Sequence, residues 1–221
     1  MSALEAALAG RLVDRPLLAP LFAALAAEVE GLDVPTFLAD PGRRARIYAD
    51  LARTLRPDVL IVDEDGEPAV VADLLQRVRA VVSTPLGVVI TGPATRGDVQ
   101  AVLADARSAA QAGATVIFVR EDVPAAPDGY ARLATPLWGS LKFFRATGIL
   151  KADWAAELPR GPFLPCVTSP IDAPYALAVA PGEAAPASHG AALVTHTEDL
   201  AGHVPVRDLQ AAAARLSGPT C

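Results

Sequence analysis

The polar residues of this sequence that can do chemistry recur at one kind of position, the ends of apolar segments that resemble β-strands. Asp63 and Asp65 follow one such segment, Lys151 follows another, and His196 follows the last. Carboxylate pairs, amines and imidazoles are the groups that enzymes use for acid–base and nucleophilic catalysis. These four residues are the predicted catalytic groups. Further polar residues share such positions and are predicted to bind substrate: Glu64, Thr91, Arg120, Glu121, Asp153 and Thr195.

The spacing and type of the four residues suggest different roles. Asp63 and Asp65 are two residues apart, so in an extended segment their side chains point the same way. Such a pair can raise the pKa of one member and serve as an acid–base group, bind a hard cation, or cap the next helix. Lys151 can form a Schiff base if it is desolvated, or be an ordinary surface lysine. His196 is the strongest general acid–base candidate, because the other histidines lie in loop-like segments.

The cysteine content predicts neither a disulfide framework nor a metal centre. The chain has two cysteines, Cys166 and Cys221, and they form no C-x-x-C pair. Cys166 lies among apolar residues and is expected to be a small strand or core residue. We therefore expect no metal ligands and no cofactor.

Helical and strand-like patterns alternate along the chain. Asp40 followed by Pro41 predicts a helix start, and Gly113 predicts a helix end. Helices are predicted at 2–9, 16–30, 40–55, 68–82, 97–112, 127–145 and 205–216, with 15–18 as an alternative short strand. Strands are predicted at 58–63, 87–91, 114–119, 147–150, 162–167, 175–179 and 192–195.

The predicted strands are apolar along their whole length, a pattern typical of parallel strands covered on both faces. Repeated strand–helix units of this kind predict an α/β fold. Two architectures satisfy them, a (β/α)8 barrel and an open doubly wound sheet. The common glycine-rich nucleotide-binding motifs are absent from the sequence. In both architectures the active site lies at the carboxyl ends of the strands, where the polar residues above would converge.

Composition narrows the functional classes. The 221 residues are 52% hydrophobic and 20% charged, which predicts a single globular domain over 1–221, with 1–30 as a helical lead. The net charge is −6 and the 19 basic residues are scattered, which argues against nucleic-acid binding. Apolar runs end well before the roughly 18 residues of a membrane span, and the N-terminus lacks a basic start typical of signal peptides. A cytoplasmic location is therefore the expectation.

Four segments carry a resemblance to a known enzyme group. They are Phe37–Pro41 with Asp58–Asp63, Ile90–Thr95, Ala110–Asp122 and Val194–Leu216. Together they resemble the uroporphyrinogen decarboxylase superfamily, which includes cobalamin-related methyltransferases. The resemblance implies a compact (β/α)8 TIM-type barrel. At 221 residues the chain is shorter than the roughly 250 of a typical barrel, and the shortening falls after Asp153, in the second half.

The resemblance also implies roles for individual positions. Asp63 falls where the decarboxylases keep their catalytic carboxylate, and His196 lies near their C-terminal active-site histidine. The arginine-rich loop that grips substrate carboxylates is replaced here by Ala19–Ala24, which has no arginine. In the methyltransferases a zinc-binding histidine stands where this chain has Lys151. Both departures indicate a divergent member with a different substrate.

These observations lead to one preferred function and two alternatives. The preferred hypothesis is a cofactor-independent decarboxylase or related lyase that acts on a small carboxylic acid. The alternatives are a zinc-less corrinoid or methyl-transfer protein and a non-catalytic accessory barrel. The expected partner is a small-molecule substrate, without nucleic acid or membrane. The resemblance adds a homodimer as an assembly to test.

Overall fold

The central feature of the computed structural model is a sheet of eight parallel strands. The structure describes residues 4–5, 17–19, 21, 23–158, 164–167, 176–179 and 192–194. The strands are β1 (Leu17–Leu18), β2 (Leu60–Glu64), β3 (Leu86–Thr91), β4 (Val116–Arg120), β5 (Thr147–Lys151), β6 (Leu164–Val167), β7 (Ala176–Val179) and β8 (Ala192–Val194). Their order is β1-β8-β7-β6-β5-β4-β3-β2. One isolated parallel bridge joins Leu21 to Ile61 of β2.

Helices connect the strands from β1 to β5, as the alternating pattern predicts. In the described part of the chain they are α1 (Ala23–Val29), α2 (Val34–Leu38), α3 (Pro41–Leu55), α4 (Pro68–Arg79), α5 (Pro93–Arg96), α6 (Val99–Ala112) and α7 (Tyr130–Phe143). A short 3-10 helix, Ala155–Glu157, follows β5. The predicted helices at 40–55, 68–82, 97–112 and 127–145 correspond to α3, α4, α6 and α7.

Capping residues fix where several helices begin and end. Asp33 accepts a hydrogen bond from the backbone N of Thr36 at 2.9 Å, and Asp40 accepts one from the backbone N of Arg43 at 2.9 Å. These bonds satisfy amides that have no partner inside the helix. Gly113 ends α6 with a φ of 110°, a conformation that favours glycine. The start predicted at Asp40 and the end predicted at Gly113 are therefore confirmed.

The core lies on both faces of the sheet. Leu60, Val88 and Ile117 belong to the continuous apolar cluster that strands and helices share. Ile61 and Phe118 are each 2% exposed and point to the other face. Whole-length burial of the central strands, expected from their uninterrupted apolar sequence, is confirmed for β2 to β5.

The structure decides between the two N-terminal predictions. Leu17–Leu18 is a strand, as the alternative for 15–18 predicted, and α1 begins at Ala23, so residues 16–30 are not one helix. Long-range pairing with β8 explains the difference, since it overrides the helix propensity of an alanine- and leucine-rich stretch. The helix predicted at 205–216 lies outside the described residues. Within the described part, no helix has the length and apolar character needed to cross a membrane.

Candidate active site

A cavity of about 210 Å³ opens at the carboxyl ends of β2, β4 and β5. Glu64, Arg120 and Lys151 are the last residues of these three strands. Arg120 and Lys151 are register partners on neighbouring strands, so the two cations lie side by side. We call this space the mouth cavity. Four charged and four apolar side chains line it: Glu64, Arg120, Asp122, Lys151, Leu21, Ile61, Val89 and Phe118.

Arg120 is held by three carboxylates at the rim of the mouth cavity. Its Nη1 pairs with Glu64, its Nη2 lies 3.2 Å from Asp65 Oδ2, and its Nε lies 3.4 Å from Asp122 Oδ2. The guanidinium is therefore fixed in position, with about a third of its side chain exposed. Asp122 was not among the predicted substrate-binding residues, although it follows Arg120 and Glu121 at the same strand end.

Asp65 and Thr91 join the β2 and β3 ends beside this network. Asp65 accepts hydrogen bonds from the backbone N of Thr91 and, at 2.8 Å, from its Oγ1. Asp65 has a φ of 51°, a left-handed conformation that turns the chain away from the strand direction. Both residues were predicted to contribute to the site, and the structure places them next to Arg120.

Asp63 faces the helices instead of the mouth cavity. Its carboxylate pairs with Arg44 of α3, which also donates from Nη2 to the carbonyl oxygen of Val62 at 3.1 Å. The register of β2 against β3 shifts between Ile61 and Asp63, and Asp65 is not extended. The two carboxylates therefore have different partners, although both line one further cavity of about 460 Å³ beside β3.

Glu121 serves as a buried tether for α5. It is 4% exposed and accepts hydrogen bonds from the backbone N of Ala94 at 2.8 Å and of Thr95 at 2.7 Å. Burial raises the pKa of the Tyr130 phenol, and the neighbouring Glu121 carboxylate raises it further. A Cβ on Gly92 would lie 2.3 Å from Glu121 Oε1, so the turn before α5 requires glycine. Glu121 therefore positions the β3 end and is not among the residues lining the mouth cavity.

The remaining predicted residues are placed as follows. Asp153 is exposed, two residues beyond the end of β5. Thr195 and His196 lie outside the described residues, so their proposed roles stay predictions. Cys166 belongs to β6. Across the residues that the structure describes, no group of three His, Cys, Asp or Glu side chains is arranged to hold a metal ion.

Arg44 is the charged residue that the sequence did not identify. It is 3% exposed, and its guanidinium carbon lies 5.9 Å from the ring centre of Tyr48. Helical spacing on an amphipathic segment could have flagged it, because Arg44, Ile47, Tyr48 and Leu51 share the buried face of α3. A charged residue on that face implies a buried partner.

Comparison with known proteins identifies a fold but no family. No protein-family profile matches the chain, and no curated protein matches it. The solved structures that resemble it include apo homocysteine methyltransferase MmuM from Escherichia coli, with 13% identity, a TM-score of 0.59, and coverage of 97% of this chain and 100% of that one. Others are the tryptophan synthase alpha subunit from Legionella pneumophila str. Paris (13% identity, TM-score 0.48, 98% and 96% coverage) and a 2,3-dimethylmalate lyase (14%, 0.42, 96% and 76%).

Only the first of these likenesses is strong enough to carry an argument, and at 13% identity it concerns the fold alone. This structural likeness is consistent with the sheet of eight parallel strands and with the helices that connect β2 to β5. The chain is an α/β protein with a parallel sheet and a structural neighbour of the TIM-barrel type.

Proposed function

We propose that this chain is an enzyme of the (β/α)8 barrel type and that the mouth cavity is its active site. The observation that carries the proposal is the pair of cations, Arg120 and Lys151, side by side at strand ends above an apolar floor. The active sites of barrel enzymes lie at this end of the strands. The bridge between Leu21 and Ile61 supports a closed barrel, because it links the two ends of the strand order.

The proposed reaction is loss of carbon dioxide from a small carboxylic acid, without a cofactor. The substrate carboxylate would enter beside Lys151 and rest on Ile61, Val89 and Phe118. An apolar floor excludes water and favours release of neutral carbon dioxide from the charged carboxylate. The electron pair of the broken carbon–carbon bond stays on the substrate carbon. The ammonium group of Lys151 would donate the proton that this carbon takes up, acting as a general acid.

Arg120 and its carboxylate partners would orient the substrate and stabilise the negative charge that develops on it. Three carboxylates hold its guanidinium, so it needs little reorganisation when charge develops on the substrate. The size of the cavity also favours a small substrate. Its volume of about 210 Å³ is below the roughly 300–1,000 Å³ of pockets that hold drug-sized ligands. His196 keeps its predicted acid–base role as part of the same proposal.

A Lys151→Met variant tests the proposed reaction, with Lys142→Met as the matched control. Lys142 is exposed on α7, and Lys142 and Lys151 are the two lysines of the sequence. Release of carbon dioxide from a panel of small carboxylic acids is followed for the wild type and both variants. We expect Lys151→Met to lower kcat/KM by about 10²- to 10⁴-fold, the usual contribution of a general acid. Unchanged kcat/KM in Lys151→Met would refute the assignment.

A binding module that kept the barrel is the second candidate. The specific observation in its favour is that Nη1, Nη2 and Nε of Arg120 already have carboxylate partners. An active-site arginine that must grip a substrate carboxylate usually offers it a pair of parallel donors. The same panel separates the two candidates. Calorimetric binding of an acid without any release of carbon dioxide would favour the binding module over the enzyme.

A further inference from the structure

A separate surface lies at the end of the sheet opposite the mouth cavity. The parallel strands begin there, and α3, α4, α6 and α7 return the chain to it, so these helices end at this surface. The connections from these helices to the next strands are residues 56–59, 80–85, 113–115 and 144–146. We call the surface formed by these connections and by the last turns of the helices the amino-end face.

Cations without carboxylate partners gather on the amino-end face. Four of them are exposed there: Arg56, Arg79, Lys142 and Arg145. Within the described part of the chain, none of these four forms an ion pair, whereas Arg77 and Arg96 elsewhere on the helices do. The one carboxylate in the four connections, Asp58, is half-buried. The positive charge of this face is therefore not compensated by neighbouring groups.

Exposed carboxylates gather at the opposite end, where the strands finish. They include Glu64, Asp65, Glu67, Asp98, Asp122 and Asp128. Although the net charge of the chain is −6, its uncompensated positive charge is thus concentrated at one end. Such a separation of charge turns the amino-end face toward an anionic surface. The helix dipole favours a cation in the last turn of a helix, but it does not require that carboxylates be absent from the connections.

Two apolar side chains project from the amino-end face beside these cations. Val81 is 57% exposed and Phe143 is 81% exposed, the highest values among the large apolar side chains of the described residues. Each precedes an anchored residue, because Val82 and Phe144 pack against the apolar core. The rings of Phe143 and Phe144 also meet edge to face, with their centres 5.1 Å apart. Val81 and Phe143 are therefore held outward on anchored turns, a feature that the helix dipole does not explain.

The spacing of these two side chains favours a lipid surface over a protein partner. Helix α6 packs against both α4 and α7, and packed helix axes lie 8–10 Å apart, so Val81 and Phe143 are separated by roughly 20 Å. Arg79 lies within this gap, since its Nη1 would be 2.5 Å from a Cβ on Gly113 at the end of α6. A protein partner would need two separate pockets at this spacing. A bilayer interface accepts projecting apolar side chains at any spacing and offers anionic headgroups to the cations between them.

We propose that the amino-end face binds an anionic phospholipid bilayer. Val81 and Phe143 insert among the headgroups, and Arg79 and Lys142 beside them pair with lipid phosphates. The sequence predicted no membrane partner because these cations are scattered along the chain, and only the fold brings the helix ends together. The mouth cavity opens at the other end of the strands and stays accessible in the bound protein, so this proposal does not depend on the reaction proposed there.

Sedimentation with lipid vesicles tests the ligand class. The full chain is mixed with vesicles of equal parts phosphatidylglycerol and phosphatidylcholine, or of phosphatidylcholine alone, at about 0.02 M salt, where surface charges are weakly screened. We expect sedimentation with the anionic vesicles alone, and a strong reduction at about 0.5 M salt. Absence of sedimentation with the anionic vesicles, or equal sedimentation with both kinds, would overturn the proposal.

Two variants with matched controls test the location. Lys142→Gln and Arg132→Gln each remove one exposed charge from α7, but Arg132 lies near the start of the helix, about 15 Å from Lys142. We expect Lys142→Gln to lower the partition coefficient about fivefold, the usual contribution of one basic residue at an anionic surface, and Arg132→Gln to leave it near the wild-type value. Phe143→Ser should lower it about tenfold through lost apolar burial, whereas Leu133→Ser, near the start of α7, should not.

The pattern of losses decides whether the amino-end face is the contact. Wild-type partition in both Lys142→Gln and Phe143→Ser would overturn the proposal. Equal losses in Lys142→Gln and Arg132→Gln would indicate an effect of net charge alone and would also overturn it. Binding of polyglutamate, a soluble polyanion, without binding of vesicles would place an acidic protein on this face instead. If Phe143→Ser does not fold, as judged by circular dichroism, Val81→Ser decides in its place.

Discussion

Arg44 and Asp63 form an ion pair in which the two side chains are 3% and 7% exposed. Both charged groups are desolvated by burial, and each compensates the charge of the other. Nη2 of Arg44 also donates to the carbonyl oxygen of Val62, so the pair anchors α3 to β2. Removing one partner of such a pair leaves an uncompensated charge in the interior.

Replacing Arg44 therefore destabilises the protein strongly. We expect Arg44→Met to lower the free energy of unfolding by about 3–5 kcal/mol, measured by urea denaturation. Arg77→Met is the control, because Arg77 and Asp73 form an exposed pair on α4 and such pairs contribute about 1 kcal/mol or less. Equal losses in the two variants would show that burial of the Arg44–Asp63 pair does not matter.

At the level of residues, the sequence predicted which side chains lie at strand ends better than it predicted which groups those side chains contact. Glu64, Arg120 and Lys151 were expected at strand ends, and the structure brings these three together in one cavity. The partner of Asp63 lies 19 residues earlier on a helix, and only packing brings it near. A register shift in β2 then decides which face of the sheet Asp63 occupies. Spacing in the sequence carries no signal for such a shift.

Helix α3 shows what local sequence can determine about an element. Asp40 and Pro41 fix its first turn, so its start was predictable from two residues. The hydrogen bond from the backbone N of Arg43 lowers the pKa of the Asp40 carboxyl below its ordinary value of 3.8. The charged cap therefore stabilises the folded state fully above pH 3.8. This stabilisation is lost as the pH falls through the lower pKa that Asp40 has in the folded state.

An Asp40→Asn variant makes this dependence measurable. Asparagine also caps helices but does not titrate. We expect the wild type to be the more stable protein by a larger margin at neutral pH than at a pH below 3.8, because only its cap is lost on acidification. Thermal unfolding of both proteins across this range gives the margin. A margin that does not change with pH would contradict a charged cap.

Strand β5 and helix α7 meet at Gly148, where the approach is too close for a side chain. A Cβ at this position would lie 1.4 Å from Trp138 Cζ3. We expect Gly148→Ala to lower the free energy of unfolding by about 1–3 kcal/mol, the usual cost of overpacking. Gly139→Ala should be neutral or stabilising by up to about 1 kcal/mol, because alanine favours helix and meets no neighbour. Chemical denaturation of the two variants measures both, and a Gly148→Ala variant as stable as the wild type would contradict this packing.

Strand β1 shows a choice that local sequence leaves open, since 15–18 was predicted as either helix or short strand. Residues 16–30 favour a helix by composition, yet Leu17 and Leu18 pair with Leu193 and Val194 of β8. The two strands are far apart along the chain. A short strand of this kind forms because it pairs with another strand of the sheet. Its own sequence indicates strand structure only weakly.

At the scale of the whole molecule, the fold class was predictable from the sequence. The distribution of the polar strand-end residues between two cavities was not. Apolar strands and alternating helices indicated an α/β fold with a parallel sheet, and the structure has that fold. The same strand ends line two cavities, of about 210 Å³ and about 460 Å³, and Asp65 contacts Arg120 of the first while lining the second. Which side chain enters which cavity depends on strand register and on backbone turns, so the sequence alone predicted a single site.

Chemical labelling of the two lysines tests the central claim most directly. Reductive methylation followed by mass spectrometry reports the reactivity of Lys151 in the mouth cavity and of Lys142 on the surface within the same molecule. The account predicts that at least one small carboxylic acid slows the labelling of Lys151 several-fold while that of Lys142 is unchanged. If every acid in the panel leaves Lys151 as reactive as before, or slows both lysines equally, the mouth cavity is not the site at which this protein binds its substrate.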